Sequence, residues 1–197
     1  MRIRLILATL ALAAFALVSL VKAAETGSVS GTVKTIGLPS TANIVVSLRA
    51  PGIIAAPSLK TVDLDQRAMQ FFPRVLPIVA GTTVRFLNSD TGPHNAKSPE
   101  GSYDFGIMLK GQSKEFKFDK PGIYTQLCAM HPQMMAFIVV LDTPYFGVTD
   151  ETGRFDIKDV PSGKYTLVAW SERLKETTHP VIVESGRQVT ADISLSR

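Results

Sequence analysis

The sequence predicts an all-β fold of Greek-key sandwiches or barrels, and three observations carry that prediction. From residue 27 onward, short runs rich in Val, Ile, Thr, Phe and Tyr recur between Gly, Pro, Asp and Asn. Several of these runs alternate, as in Val189, Ala191, Ile193 and Leu195 against Thr190, Asp192 and Ser194, the period of a strand with one buried face. Only residues 171–177 suggest a helical turn.

The elements follow in order. Residues 1–23 read as an export signal: Arg2 and Arg4, an apolar run over 5–21, then Val21, Lys22 and Ala23 before the cut. The apolar run, interrupted by Thr9 and Ser19, sits at the short edge of what spans a bilayer; an uncleaved anchor helix is the rival reading, and the favoured one confines membrane contact to the segment before cleavage. Cleavage after Ala23 leaves 197 − 23 = 174 residues and removes Arg2, Arg4 and Lys22. The 21 basic residues against 17 acidic ones then become 18 against 17, and the net charge falls from +4 to +1. The apparent pI of 9.3 therefore gives no support to nucleic-acid binding, which needs clustered basic charge. Strands are expected over 28–34, 43–49, 60–64, 74–79, 82–87, 114–118, 123–127, 136–141, 154–157, 164–170, 180–183 and 188–195. Residues 50–58 interrupt this pattern with Pro, Gly and Ala and read as a linker, with a second seam over 142–147. Lys110, Lys114, Lys117 and Lys120 alternate with Glu115 and Asp119 and read as a solvated face.

The single cysteine, Cys128, excludes an internal disulfide, and no thiol near Ala23 offers a lipid attachment point. Cys128 is left as a small buried hydrophobe, an intermolecular link or a metal ligand. Cys128, His131 and Met134 fall at three-residue intervals between two expected strands. His94 follows the 82–87 run in a turn-rich stretch that opens at Asn88 and continues to Asn95. Two imidazoles, a thiolate and a weak thioether form the donor set of a blue-copper centre. Zinc makes no use of a thioether, and its closed sites want a fourth strong ligand, here His179 or a carboxylate. Calcium and magnesium want oxygen cages, and an iron–sulfur cluster wants several thiolates. His179 precedes Pro180 without a partner pattern, and Met130 and Met135 read as packing or surface residues.

Residues 59–143 resemble a complete cupredoxin domain of the short-loop amicyanin and pseudoazurin type. The resemblance rests on Cys-x2-His-x2-Met at 128–134, on Asn88-x5-His94-Asn95, on the Gly-initiated run 81–86, and on Phe72-Pro73 ahead of 75–79. It implies one copper ion cycling between Cu(II) and Cu(I), with His94, Cys128 and His131 as equatorial ligands and Met134 as the axial one. It also implies that Asn88 or Asn95 fixes the loop or donates toward the Cys128 sulfur. Residues 149–170 are similar to the carboxypeptidase regulatory-like, transthyretin-like sandwich, whose opening strands resemble 30–33 and 42–48. The copper domain therefore reads as inserted, with 26–50 and 144–197 forming one discontinuous sandwich around it. The order resembles exported methylamine-utilization or plastocyanin-like proteins.

The function these resemblances imply is one-electron transfer between periplasmic redox partners that dock near His131, with no enzyme activity. A copper carrier or sink using the same ligands is an alternative. A binding or scaffolding module acting through Tyr145, Phe146, Tyr165 and Trp170 is another, although burial is the expected fate of most of those aromatics. Three histidines and one cysteine are too few for multicopper oxidation, copper nitrite reduction or a thiolate-bridged binuclear centre. No nucleophile–base motif or phosphate-cradling Gly loop is present.

Overall fold

The computed structural model describes residues 25–197, so the expected export signal lies outside the described residues. Every helix or strand among them is a strand. Two sandwiches share the chain. One is built from β3 (Thr61–Arg67), β4 (Gln70–Phe72), β5 (Val75–Val79), β6 (Thr82–Asn88), β7 (His94–Lys97), β8 (Asp104–Met108), β9 (Ser113–Phe118), β10 (Gly122–Leu127) and β11 (Met135–Leu141). Its sheets have the orders β4-β3-β6-β9 and β5-β11-β10-β7-β8. The other uses β1 (Thr26–Thr35) and β2 (Val45–Arg49) together with β12 (Phe146–Val148), β13 (Arg154–Pro161), β14 (Gly163–Trp170), β15 (Thr177–Val183), β16 (Gln188–Thr190) and β17 (Ile193–Leu195). There β1 lies between β13 and the β16–β17 pair, and the facing sheet runs β12-β2-β14-β15.

Strand alternation places the cores. Along β11, Ala136, Ile138 and Val140 enter the first core, while Val139 and Leu141 face the other way. There they meet Val45 of β2 and Val75 of β5, with Phe137, Phe146 and Trp170 packed around them. The apolar run over 136–141 is thus apolar because both faces of β11 are covered. The second core takes Val46 and Leu48 from β2, Leu167 and Ala169 from β14, and Val29 and Val33 from β1. Gly31 is required in β1, because a Cβ there would collide with the Ala191 carbonyl.

Several boundaries differ from expectation, each for a local reason. Residues 171–177 form no helical turn. Leu174 is drawn into the second core, the Lys175 N–H bonds the Ser196 carbonyl at 3.1 Å, and Thr177 already opens β15. The run 188–195 splits into β16 and β17. Between them the Asp192 side chain accepts the Thr32 N–H at 2.8 Å, replacing a ladder bond. The turn-rich stretch around His94 turns into strand at His94 itself, and β4, β8 and β12 are additional strands. All three are short and lack a legible period. Lys114, Glu115 and Lys117 on β9 are solvated as expected.

Candidate metal centre

The site forms at one end of the first sandwich, where β6 passes to β7 and β10 to β11. Asn88 closes the first of these connections. Its side-chain oxygen accepts the Asp90 N–H at 3.0 Å, and its amide donates to the carbonyls of Gly92 and Met108 at 3.0 and 2.8 Å. The chain emerges with His94 2% exposed at the start of β7. In the second connection, the Cys128 N–H bonds the Met134 carbonyl at 3.3 Å and the Met134 N–H bonds the His131 carbonyl at 2.9 Å. Residues 128–134 therefore form a tight loop between paired strands, with Leu127 opposite Met135.

These two connections bring His94 Nδ1 to 3.1 Å from His131 Nδ1, and Cys128 Sγ to 3.7 Å from the same His131 nitrogen. One ligand atom from each of the three residues lies within 4.8 Å of the others. Cys128 and His94 are buried, and His131 is half-buried. Met134 is 1% exposed in the same apolar cluster as Cys128, whereas Met130 is 38% exposed and Met135 is half-buried. His179 sits far along the chain in β15, opposite Leu167 in the other sandwich, and is exposed.

Asp90 is the participant that sequence reasoning missed. Its carboxylate lies 2.8 Å from His94 Nε2 and accepts the N–H groups of Ala68 and Met69 at 2.7 and 2.9 Å. Those two residues form the β3–β4 turn, with φ of 52° and 56°, where side-chain-bearing residues are uncommon. The Met69 N–H, joined by those of His94 and Ala68, holds the Asp90 carboxyl below the usual carboxylate value against the opposing cost of burial. A neutral His94 that donates from Nε2 to this carboxylate keeps Nδ1 as an open lone pair facing Cys128 and His131. Asp90 is occupied on the outer nitrogen and is not the fourth strong ligand that a closed zinc site wants. The four-residue separation of Asp90 and His94 was the available signal.

Asn95 ties the two connections together. Its side-chain oxygen accepts the Ala129 N–H at 3.2 Å, and its amide donates to Asp104 and to the Gly106 carbonyl. Asn88 and Asn95 thus act on loop shape, and their amide donors go to carbonyl and carboxylate oxygens. A shallow opening lined by Met69, Pro93, Met130, His94 and His131 exposes the site's rim. Tyr145 and Phe146 are half-buried, Tyr165 is 5% exposed, and Trp170 packs edge-on to Phe137 with ring centroids 5.7 Å apart.

Comparison with known proteins relates the chain to copper-binding proteins. The family model of copper binding proteins, plastocyanin/azurin family, matches residues 59–142. That of polysaccharide lyase family 4, domain II, matches residues 141–191. A pseudoazurin of Methylorubrum extorquens is 30% identical over 111 residues, covering 52% of this chain and 74% of its own. An amicyanin of Paracoccus versutus is 26% identical over 102 residues, covering 49% of this chain and 77% of its own. A solved purple cupredoxin from Nitrosopumilus maritimus is 26% identical with a TM-score of 0.37, covering 40% of this chain and 98% of that one.

Proposed function

Because the chain belongs to the plastocyanin/azurin family of copper-binding proteins, we propose that it is an exported one-electron carrier whose copper is held by His94, Cys128, His131 and Met134. The carrying observation is the convergence of a thiol and two imidazoles, two of the three groups buried, at the end of a rigid sandwich. The donor set fits copper: the Cys128 thiolate and the two imidazoles would hold it, and the buried thioether of Met134 would add a weak fourth donor. When bound, copper supplies a Cu(II)/Cu(I) couple.

The protein's part is positional. Asp90 fixes the tautomer of His94, Asn88 and Asn95 hold the two connections, and the bonds closing residues 128–134 set Cys128 against His131. Burial of His94, Cys128 and Met134 excludes water from the inner side. His131, at the rim with Met69, Pro93 and Met130, is the edge where a redox partner docks. Pairing of β1 with β13 and of β2 with β14 supports reading residues 59–143 as a unit inserted into one discontinuous sandwich over 26–50 and 144–197. The Arg2–Ala23 segment supports export to the periplasm.

Stoichiometric Cu(II) should give an intense visible band from sulfur-to-copper charge transfer, together with rapid electron self-exchange and slow copper loss to a chelator. A colourless Cu(II) complex refutes the site. Rapid reduction-triggered release to an acceptor, with sluggish self-exchange, replaces the electron carrier by a copper carrier.

A further inference from the structure

Strand β11 leaves the 128–134 loop at Met135, and its carbonyls on one side should pair with β5. The β5 ladder begins late, however. Its register starts at Val75 opposite Phe137, and the last backbone bond toward the loop runs from the Phe137 N–H to the Arg74 carbonyl at 2.9 Å. Met135 is two residues earlier and presents its carbonyl on the same side of the strand, beyond the end of the β5 backbone. The Arg74 guanidinium fills that place, with Nη1 donating to the Met135 carbonyl at 3.1 Å. A side chain thereby extends the ladder by one step, to the residue next to Met134.

Left to itself this cap would be loose, since an arginine side chain has many rotamers. Its other arm is held by the second sandwich: Nη2 donates to Glu172 at 2.7 Å, and Glu172 is only 20% exposed. The guanidinium also lies 6.0 Å from the centre of the Phe137 ring, which packs on Trp170. Glu172 lies two residues beyond Trp170, the last residue of β14, so the segment carrying it is anchored by that packing.

We infer that Arg74 is a positioning residue for the copper loop and that Glu172 of the appended sandwich holds it in place, so that the second sandwich braces the C-terminal end of the 128–134 loop. This rests on the proposed copper site, through Met134. The brace is a mechanical role for a sandwich that has no other chemistry assigned to it. It acts on the strand end that fixes Met134, and so on the distance and stiffness of the weakest donor. Ion-pair strength as such is secondary, because both partners are partly exposed.

The test uses the intact protein with Glu172→Gln and Arg74→Lys, with Glu176→Gln as a control that removes one exposed charge from the same segment. In copper-free protein, amide exchange at Met134 and Met135 should accelerate several-fold in Glu172→Gln and Arg74→Lys and stay unchanged in Glu176→Gln. With Cu(II) bound, the first two should shift the visible band ratio and the electron paramagnetic resonance hyperfine splitting, and should lose copper to a chelator about tenfold faster. Unchanged exchange and spectra in Glu172→Gln, with a coloured unmodified protein, overturn the brace and leave the copper site standing. A colourless unmodified protein overturns the copper site and this inference with it. Equal shifts in Glu176→Gln reduce the effect to bulk charge and overturn the brace.

Discussion

The two sandwiches solve the same packing problem with different residues. The second core is almost wholly aliphatic: Val29, Val33, Ile44, Val46, Leu48, Val160, Leu167, Val183 and Leu195 are each 2% exposed or less. The first is aromatic, with Phe86, Tyr103, Phe105, Phe116, Phe118 and Tyr124 linked ring to ring at centroid distances of 4.7–6.0 Å. It also buries Gln66, Asn88, His94, Asn95 and Gln126. Asn88 and Asn95 spend their bonds on loop shape, while the Gln66 amide donates to the Leu87 carbonyl and the Gln126 amide to the Thr125 carbonyl. Tyr103 donates to Gln126, and burial pushes its hydroxyl pKa above the usual phenol value. Buried polar groups cost stability unless they are paired, so their concentration marks where the fold serves chemistry. The aliphatic sandwich carries no comparable cluster among its described residues.

The largest effect that sharpens this contrast is at Cys128. Cys128→Ser should abolish the visible copper band completely while leaving the unfolding transition of the second sandwich in place, read by absorption and calorimetry together. Retained colour would mean that the thiol is one of the buried hydrophobes of the first core. Next come paired core truncations. Phe118→Ala and Leu167→Ala should each cost about 3–5 kcal/mol, the first lowering the melting point of the coloured unit and the second that of the appended one. A single shared transition in both variants would break the comparison, showing that the Val45, Val75, Val139 and Leu141 cluster fuses the two cores into one cooperative unit.

Asp90→Ala should be milder, weakening copper binding about tenfold as His94 loses the acceptor at Nε2 and the Ala68–Met69 turn loses its anchor. Competition titration reads this, and unchanged affinity would confine Asp90 to the turn.

The smallest effect is in acid. The Thr152 hydroxyl and the Arg154 N–H hold the Asp150 carboxyl below its usual value in the second sandwich. The Gly106 N–H and the Asn95 amide do the same for Asp104 in the first. A depressed folded pKa gives stability that is present above the unfolded value and lost as pH falls through the folded one. Both losses therefore belong below about pH 4. Asp150→Asn should flatten the acid fall of the second transition and Asp104→Asn that of the first. Crossed effects would mean that the two units titrate together.

Much of the site was legible because it is local. Cys128 and His131 belong to one seven-residue loop with Met134, and their close spacing already put the thiol and the imidazole together before folding brought His94 to them. His94 was legible through the strand before it. Asp90 was not, because its role depends on the β3–β4 turn, which comes near only after β3 pairs with β6. Arg74 was hidden for the same reason: Met135 and Glu172 are 61 and 98 residues away.

By itself, then, the sequence determined the all-β class, the strand faces and the His94, Cys128 and His131 candidates that cluster in the fold, since alternation, turn residues and residue spacing act over a few residues. Tertiary structure decided which strand closes each sheet, which polar side chains become loop braces, and that both faces of β11 are covered. Those outcomes depend on contacts between segments distant in the chain, where burial and hydrogen-bond satisfaction select one arrangement among several that local preference allows.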